Sequence, residues 1–417
     1  MSVTSIVAKV FESIIYDEIY KHIERNSVIS TNQHGFQREK STTTNLLDFW
    51  DRVTKIADNS KPLSIIYTDL RKAFDTVPHD LLLHKLEHYG VREQNQRWIR
   101  NFLDSRKQRV VSNGDSSPFI NVESGVPQGG TLSGLFFILY MNDLPKKIKH
   151  SQVSLYADDA KIFAPVTCSQ DIDLIQQDLD ALLEWCIEWR LSLNAKKCVY
   201  IHYTPMHKTD LQPQYTIQNV QLQRKDSVVD LGVIISEDLK FHKHIDHICK
   251  KARRETGRIK RSFKSRNYAF LSDVYKTYVR PHLEYAVPVW NPVHKLDITK
   301  IEKAQNNFTK LLKHGSVMTP QQRNEALGLT THEQRRYRGD LIQMYKFSEK
   351  GMFKHKPETR TRTNSKAIEI QRPRISVRAH SFYCRNTLKW NNLPESTLSA
   401  SSTNQFKTEI DKYLSDR

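Results

Sequence analysis

The stretch Ser154 to Ala164, SLYADDAKIFA, carries two adjacent acidic residues, Asp158 and Asp159. Aromatic and aliphatic residues flank the acids on both sides, a pattern typical of two short strands joined by a tight turn. The two carboxylates are therefore predicted at the tip of a β-hairpin. Acidic pairs in turns most often cap the chain reversal or face solvent, so a functional interpretation requires a further acid in a matching position.

Asp69 meets that requirement. It follows Leu63 to Thr68 (LSIIYT), a short apolar run rich in β-branched residues that predicts a buried strand. Carboxylates at the ends of adjacent strands can hold two magnesium ions, which bind through a few carboxylates, water and substrate phosphates. Two such ions about 4 Å apart hold the attacking and leaving oxygens of an in-line phosphoryl displacement. Asp69, Asp158 and Asp159 therefore form a candidate nucleotidyl-transfer site.

Three segments around these acids resemble the palm motifs of a reverse transcriptase, in order and in spacing. They are YTDLRKAFDTV (Tyr67 to Val77), SGVPQGGTL (Ser124 to Leu132) and YADD (Tyr156 to Asp159). The flanking tracts QHGFQREKST, LSLNAKKC, LGVIISEDLKFHKHI and HSFYCRNTLKWNNLPE resemble those of non-LTR retrotransposons of the LINE type, jockey-like or CR1-like. The similarity runs from near Thr4 almost to the end of the chain.

This resemblance implies an α+β right-hand polymerase with fingers, palm and thumb. Residues 1–240 would form partial fingers and a palm whose antiparallel sheet carries the three acids. Residues 241–345 would form a basic helical thumb, and residues 346–417 a linker and a tail region within a mostly helical C-terminal part. In the family a fingers strand precedes the first helix, so we expect an N-terminally truncated chain that lacks this strand and the endonuclease domain such elements commonly carry.

The same resemblance assigns roles to individual residues. Asp69 and Asp158 would bind two Mg²⁺ ions, for which Mn²⁺ is an expected substitute, with Asp159 assisting and Leu70 completing the metal ligands. The implied nucleotide-binding residues are Arg38, Lys40, Arg71, Phe74, Gln128, Gly129 and Lys197.

Several of these assignments have a purely structural alternative. An aromatic ring at Phe74 would exclude the 2′-hydroxyl by which proteins distinguish RNA from DNA, but a core phenylalanine is an equal alternative. Lys197 matches the family lysine that acts as general acid for departing pyrophosphate, whereas a loop lysine is more often a surface charge. Arg38 and Lys40 lie in a polar loop that solvation alone could explain.

The composition agrees with a polyanionic partner. The chain has 64 Lys and Arg against 46 Asp and Glu, a formal net charge of +18. No apolar run is long enough to span a bilayer and no signal pattern opens the sequence. We therefore expect no membrane partner and an intracellular location, in the nucleus, the cytoplasm or both.

The five cysteines are scattered and odd in number, which suggests free thiols in a reducing compartment. None of them has the spacing of a zinc knuckle, so none is expected. His242, His244 and His247 lie near Cys249, but no second ligand pair stands at finger spacing. Zinc binding there is a minor alternative.

A strongly basic run follows residue 249 and predicts the nucleic-acid contact. Its cations include Lys250, Lys251, Arg253, Arg254, Arg258, Lys260 and Arg261. Such a run usually marks a solvated helix face, yet like charges repel unless phosphates neutralise them. We interpret it as a thumb helix along the duplex of RNA template and DNA primer, recognising backbone and shape rather than sequence.

Three further patterns make structural predictions. Ile6 to Arg25 has the period of a helix with one buried stripe, and Asp171 to Trp189 that of an amphipathic helix whose inner face includes Ile187. Gly351 to Arg378 is polar, basic and proline-containing, which predicts a flexible linker or an RNA-binding arm.

The sequence therefore predicts an RNA-directed DNA polymerase that extends a primer 3′-hydroxyl with dNTPs by a two-metal mechanism during retrotransposon replication. The alternative is a catalytically inactive, nucleic-acid-binding remnant, motivated by the missing fingers strand. An RNA-templated RNA polymerase shares the metal chemistry, but Phe74 should disfavour ribonucleotides.

Overall fold

The computed structural model describes residues 5–104, 106–208, 211–353 and 366–415. The chain divides into two compact units, the first from residues 1–45 and 61–226 and the second from residues 46–60 and 227–417. The boundary between the units falls within helix α2 (Thr42–Asp58). None of the helices in the described ranges has both the length and the apolar character needed to cross a bilayer. The three-part division at residues 240 and 345 stays a prediction.

The first unit combines helices with short strands. Its further helices are α1 (Ile6–Arg25), α3 (Ala73–Thr76), α4 (His79–His88), α5 (Glu93–Asp104), α6 (Ser133–Tyr140), α7 (Leu144–Lys147) and α8 (Ser169–Glu188). Its strands are β1 (Leu63–Thr68), β2 (Lys107–Gln108), β3 (Val111–Ser112), β4 (Asp115–Ser116), β5 (Ile120–Asn121), β6 (Gln152–Tyr156), β7 (Asp159–Pro165), β8 (Val199–Tyr203), β9 (Thr216–Ile217), β10 (Val220–Gln221) and β11 (Gln223–Arg224).

The main sheet of this unit has, within the described residues, five strands in the order β11-β8-β1-β7-β6. Strand β1 lies between β7 and β8 and is antiparallel to both, and β7 is antiparallel to β6. Only the edge strand β11 runs parallel to its neighbour. The predicted strand Leu63–Thr68, the hairpin around Asp158 and the α+β class with an antiparallel sheet are therefore confirmed.

Helix α1 forms over the predicted residues, but the prediction of one buried stripe is wrong for its first half. Ile19, Tyr20 and Ile23 are buried, whereas Ile6 and Val10 are 80% and 55% exposed. The buried apolar residues of the helix lie in its C-terminal half, because periodicity identifies an apolar face without saying what covers it.

Helix α8 begins two residues earlier than predicted and turns its inner face as expected, with one correction. Leu182, Trp185 and Cys186 are buried, but Ile187 is 68% exposed. Each residue advances a helix by about 100°, so the position after Trp185 and Cys186 leaves the core side.

The second unit is mainly helical. It contains a hairpin of β12 (Ser227–Asp230) and β13 (Val233–Ser236), a π-helical turn over Tyr275–Val279, and α9 (His242–Ser262), α10 (Tyr268–Val274), α11 (Arg280–Glu284), α12 (Val287–Trp290), α13 (Lys295–Thr309), α14 (Pro320–Ala326), α15 (His332–Glu349), α16 (Ser376–Ala379), α17 (Phe382–Asn391), α18 (Glu395–Leu398) and α19 (Thr403–Ser415). The predicted helical C-terminal region is confirmed.

The tract from residue 366 onward is part of the core of this unit. Trp390 and Phe406 are fully buried, and Arg378 is buried and donates to the Asp51 carboxylate at 2.6 Å. The prediction of a linker over Gly351–Arg378 is wrong for residues 366–378, where Ala367 and Ile368 are buried. Its residues 354–365 lie outside the described ranges. The prediction failed because the segment is polar on average, although a few apolar side chains anchor it in the core.

Candidate active site

The turn between β6 and β7 carries Asp158 at its tip. Tyr156 pairs with Asp159 across the turn, and Ala157 adopts a left-handed conformation with φ of 56°. A residue other than glycine is uncommon in this region and needs support from its surroundings. The structure therefore places the predicted acids on a strained and tightly constrained turn.

Gln33 provides that support, and sequence reasoning did not assign it. Its buried side-chain amide accepts from the Ala157 backbone N–H at 2.9 Å and donates to the Ala157 carbonyl at 3.3 Å. Gly35 lies so close that a Cβ there would collide with the Ala157 backbone nitrogen. The Gln33–Gly35 segment thus determines the position of the turn.

Asp69 lies at the same end of the sheet as this turn. The last pair of the β1–β7 ladder joins Thr68 to Ala160, so Asp69 follows the ladder where Asp159 precedes it. The pKa of the Asp158 carboxyl is raised above its usual value, mainly because the group is partly buried and further because the Asp69 carboxylate is near. The Asp69 carboxylate is therefore near enough to disfavour ionisation of Asp158.

The two hairpin acids differ in burial, and Asp158 is the partly buried one. Asp159 is exposed at the start of β7. Among the described residues no group of three or more acidic, histidine or cysteine side chains is close enough to hold a metal ion. A pair of carboxylates with a neighbouring backbone carbonyl is still a donor set that suits Mg²⁺, which commonly binds through one or two carboxylates plus substrate phosphates.

Lys197 lies beside this pair. Its Nζ atom is 3.7 Å from the Asp69 Oδ2 atom, and its side chain is 69% exposed. The ammonium group is thus close to the candidate site and reachable from solvent, as a proton donor to a leaving group requires.

Phe74 has an environment that fits both of its predicted roles. Its ring stacks on Phe137 with centroids 4.3 Å apart and meets the edge of Phe36 at 5.7 Å. The side chain is only half-buried, so part of the ring remains accessible. The inner contacts hold the ring in one place while the accessible part can meet a ligand.

The Ser124–Leu132 segment is anchored on helix α3. Gln128 donates from Nε2 to the Asp75 Oδ1 atom at 2.7 Å, and a Cβ at Gly125 would collide with the Asp75 carbonyl. Gly129 has a φ of 90°, which only glycine adopts readily. The glycines of this segment therefore permit a close backbone approach, and the side chain of Asp75 supports Gln128.

Two of the three remaining nucleotide-binding candidates are engaged with protein groups. Arg38 forms an ion pair with Asp17 and lies over the Tyr20 ring at 4.7 Å. The Lys40 Nζ atom donates to the Gln33 carbonyl at 2.8 Å. The side chain of Arg71 is exposed.

The basic run of the second unit lies on helix α9. All seven predicted cations are exposed, and the opposite face buries Ile245, Ile248 and Ala252. Arg258 pairs with Glu255 at 2.8 Å. The helix therefore presents a cationic face to solvent while its apolar face packs inside the unit.

A cleft of about 550 Å³ extends this cationic face onto α13. Its lining residues are Arg253, Thr256, Gly257, Lys260, Arg266, Asn307, Lys310 and Leu311. Four of these are cations and none is acidic. Sequence reasoning missed Asn307 and Lys310 as partners of α9, because these two residues come close to that helix only in the folded unit.

His244, the buried histidine near Cys249, has a structural role. The Nδ1 atom of the buried His244 accepts from the Ile234 backbone N–H at 3.2 Å, and its ring packs on Trp290. Burial and the nearby cations lower the pKa of His244 to about 4. These contacts explain His244 without a metal ion.

Comparison with known proteins identifies the family. The family model described as reverse transcriptase (RNA-dependent DNA polymerase) matches residues 1–235, more than half of the chain. The chain belongs to the reverse transcriptase family. The tracts that frame the two acids, Tyr67 to Val77 and Tyr156 to Asp159, lie within the matched region.

Within this family the chain is similar to polymerases of mobile elements. It is 27% identical to the RNA-directed DNA polymerase from mobile element jockey of Drosophila funebris, over 72% of this chain and 34% of that protein. It is 26% identical to the probable RNA-directed DNA polymerase from transposon X-element of Drosophila melanogaster, over 73% and 34%. The chain spans about a third of the length of these curated relatives.

Among solved structures, apo telomerase from Candida tropicalis is similar with a TM-score of 0.47 and 12% sequence identity. The likeness covers 80% of this chain and 53% of the telomerase chain.

Proposed function

We propose that this reverse transcriptase family member is an RNA-directed DNA polymerase that extends a primer 3′-hydroxyl with deoxynucleotides. The observation that carries the proposal is the placement of Asp69 and Asp158 at the same end of the sheet. Two carboxylates held on a central strand and on a supported turn need little rearrangement to bind cations. Preorganised charge of this kind is the main source of catalysis in phosphoryl transfer.

Asp69 and Asp158 would bind two Mg²⁺ ions, with the Leu70 carbonyl as a further ligand and Asp159 assisting. When bound, Mg²⁺ lowers the pKa of the attacking hydroxyl and neutralises charge on the transferred phosphate. Oxygen donors also accept Mn²⁺, the expected substitute.

Residues around the pair would bind and orient the incoming dNTP. Gln128 and Gly129 would contact the nucleotide, and the accessible part of Phe74 would exclude a ribose 2′-hydroxyl. Lys197, 3.7 Å from Asp69, would deliver a proton to the departing pyrophosphate. Arg38, Lys40 and Arg71 would contribute to triphosphate binding, the first two only after exchanging their present partners.

The exposed face of α9 would bind the duplex of RNA template and DNA primer. Its seven cations face solvent with Glu255 as the one acidic residue among them, so phosphates are the natural counter-ions. Contacts to the backbone depend on shape and charge and not on base sequence. We expect affinity for the duplex to fall steeply as salt concentration rises.

The similarity to polymerases of mobile elements supports a role in the replication of such an element. The two relatives described above are polymerases of jockey and of the X-element. The alignments to them cover 310 and 320 residues, more than the 235 residues that the family model matches. We propose that this chain serves a non-LTR retrotransposon, inside the cell.

Primer extension tests the proposal. The protein and its Asp158→Ala, Asp159→Ala double variant are given poly-rA template, oligo-dT primer, dTTP and Mg²⁺. Extension by the wild type alone supports the proposal. Failure of both proteins with duplex binding intact contradicts it and favours a nucleic-acid-binding remnant.

A further inference from the structure

Residues 192–198 form one segment that packs against residues 69–71, directly after strand β1. The Arg71 backbone N–H donates to the Ser192 carbonyl at 2.7 Å, and Leu70 forms an isolated bridge with Leu193. The Asn194 N–H then donates to the Asp69 carbonyl at 2.8 Å. The segment therefore fixes the chain just where it leaves β1.

The Asp69 backbone N–H has a different kind of partner. It donates to the Sγ atom of Cys198 at 3.4 Å, and this cysteine is buried. Both backbone polar groups of Asp69 are thus bonded to one short segment. A thiol is a weak acceptor, and a backbone N–H bonded to a thiol side chain is an unusual arrangement.

The interruption of the ladder explains why a thiol takes this place. Strand β1 pairs with β8 from Val199 onward, and a turn closed by Lys197 N–H to the Asn194 carbonyl at 2.8 Å precedes that strand. The turn removes the carbonyl that a continuous antiparallel strand would offer to Asp69. Because an unpaired N–H in this partly buried position is costly, the Cys198 side chain substitutes for the missing carbonyl.

We propose that Cys198 is a positioning residue for the polymerase reaction, acting through Asp69. The thiol fixes the Asp69 backbone, and with it the direction of the carboxylate toward Asp158. The sulfur bonds to a backbone amide of Asp69, so its role is to orient the acid. This inference rests on the proposed function, which makes Asp69 a metal ligand.

Cys186 is a matched control for Cys198. Both thiols are 1% exposed, and they are close enough for their ionisations to interact. Cys186 lies on helix α8, whereas the contact with the Asp69 N–H belongs to Cys198. Substitution of either cysteine by alanine removes the same atoms from the same core, but only Cys198→Ala removes the acceptor.

The first measurement is hydrogen exchange of the Asp69 amide, in the full chain without metal. We expect Cys198→Ala to raise its exchange rate about fivefold, the loss that corresponds to one net hydrogen bond. Cys198→Ser keeps an acceptor and should recover part of the protection. Cys186→Ala should exchange at the wild-type rate.

The second measurement is Mn²⁺ binding, followed by electron paramagnetic resonance, together with steady-state primer extension. We expect Cys198→Ala to weaken Mn²⁺ binding about fivefold and to lower kcat while KM for dTTP stays the same. Cys186→Ala should match the wild type in both, although both alanine variants lose a similar amount of thermal stability.

Two results overturn the inference. Unchanged Asp69 exchange in Cys198→Ala removes its structural basis, and equal loss of Mn²⁺ affinity in the two alanine variants reduces Cys198 to a packing residue. Failure of the proposed function can be told apart from failure of this inference. In the first case the wild type extends no primer, whatever the exchange rate of the Asp69 amide.

Discussion

The side-chain amide of Gln33 bonds to both backbone polar groups of Ala157, a residue 124 positions away and directly before Asp158. The left-handed conformation of Ala157 is therefore stabilised by hydrogen bonds from a distant part of the sequence. A second amide of the same kind serves as a comparison, because Gln176 accepts from the Thr216 N–H at 2.9 Å and donates to the Thr216 carbonyl at 3.0 Å.

Gln33→Ala should reduce both stability and polymerase activity. The substitution leaves buried backbone groups of Ala157 unpaired, so we expect the free energy of unfolding to fall by about 2–3 kcal/mol. We expect kcat for dTTP incorporation to fall at least about tenfold, because the Asp158 turn loses its support. Gln176→Ala should lose stability yet keep kcat, and equal loss of kcat in both variants would contradict a local role for Gln33. Urea unfolding and steady-state kinetics measure these effects.

Asp158→Asn should stabilise the metal-free protein while abolishing primer extension. The folded state raises the pKa of this carboxyl, so it binds the proton more tightly than the unfolded chain does. The contribution to stability is therefore present at low pH and is lost as pH rises through the folded pKa. At pH 7 the neutral amide should therefore raise the free energy of unfolding.

Thermal unfolding in a chelator checks this expectation. Asp115→Asn, at the exposed tip of the β3–β4 hairpin, is the control and should change neither stability nor activity. If Asp158→Asn were less stable than the wild type, the surroundings of Asp158 would favour its charged form, which would contradict the raised pKa.

Lys310→Gln should weaken binding to an RNA–DNA hybrid duplex. Lys310 lines the cationic cleft between α9 and α13, so we expect the slope of log affinity against log salt to decrease by about one. Lys303→Gln on the same helix replaces an exposed lysine outside the cleft and should leave the slope unchanged. Fluorescence anisotropy over a salt series measures the slope, and identical slopes for both variants would exclude the cleft from the duplex contact.

Lys85 should make stability depend on pH in the alkaline range. Its ammonium group donates to the Tyr140 carbonyl and to Asp143 and lies 3.6 Å from the Trp189 ring centroid. Burial lowers its pKa to about 8, so the unfolded chain binds the proton more tightly. The contribution of Lys85 to stability should therefore rise between about pH 8 and pH 10.5, by up to about 3 kcal/mol.

The difference in unfolding free energy between the wild type and Lys85→Met isolates this contribution from other titrating groups. Lys147→Met, which removes an exposed partner of Glu188, is the control and should give a difference that does not change over the same range. A flat difference for Lys85→Met would contradict the lowered pKa.

The sequence predicted the elements that depend on local patterns. Strand β1, the β6–β7 turn and helix α1 follow from runs of side chains that are adjacent in the chain. Their burial was predicted less well, since exposure of Ile6 and Ile187 depends on what packs nearby. Residues 366–378 were predicted to belong to a flexible linker or an RNA-binding arm, because polar residues outnumber the buried apolar ones there.

The residues that support the candidate site could not be predicted from the sequence, because they act through contacts between residues far apart in the chain. The Asp69 N–H and the Cys198 thiol are 129 residues apart, and nothing local distinguishes this cysteine from Cys186. Gln33 lies in a tract that drew attention through Arg38 and Lys40, whereas the folded chain uses its amide. Gly35 was the one available signal, because a glycine in a polar tract can permit a close backbone approach.

Single-turnover incorporation of one dTMP, compared between Asp69→Asn and Asp75→Asn, tests whether Asp69 and Asp158 carry out the chemistry. Asp69 lies near Asp158, whereas the Asp75 side chain accepts from Gln128. With hybrid-duplex binding unchanged, we predict a fall of at least about a thousandfold for Asp69→Asn, roughly 4 kcal/mol of lost transition-state stabilisation, and of less than about tenfold for Asp75→Asn. Comparable rates for Asp69→Asn and the wild type would contradict the assignment of the chemistry to the Asp69 and Asp158 pair.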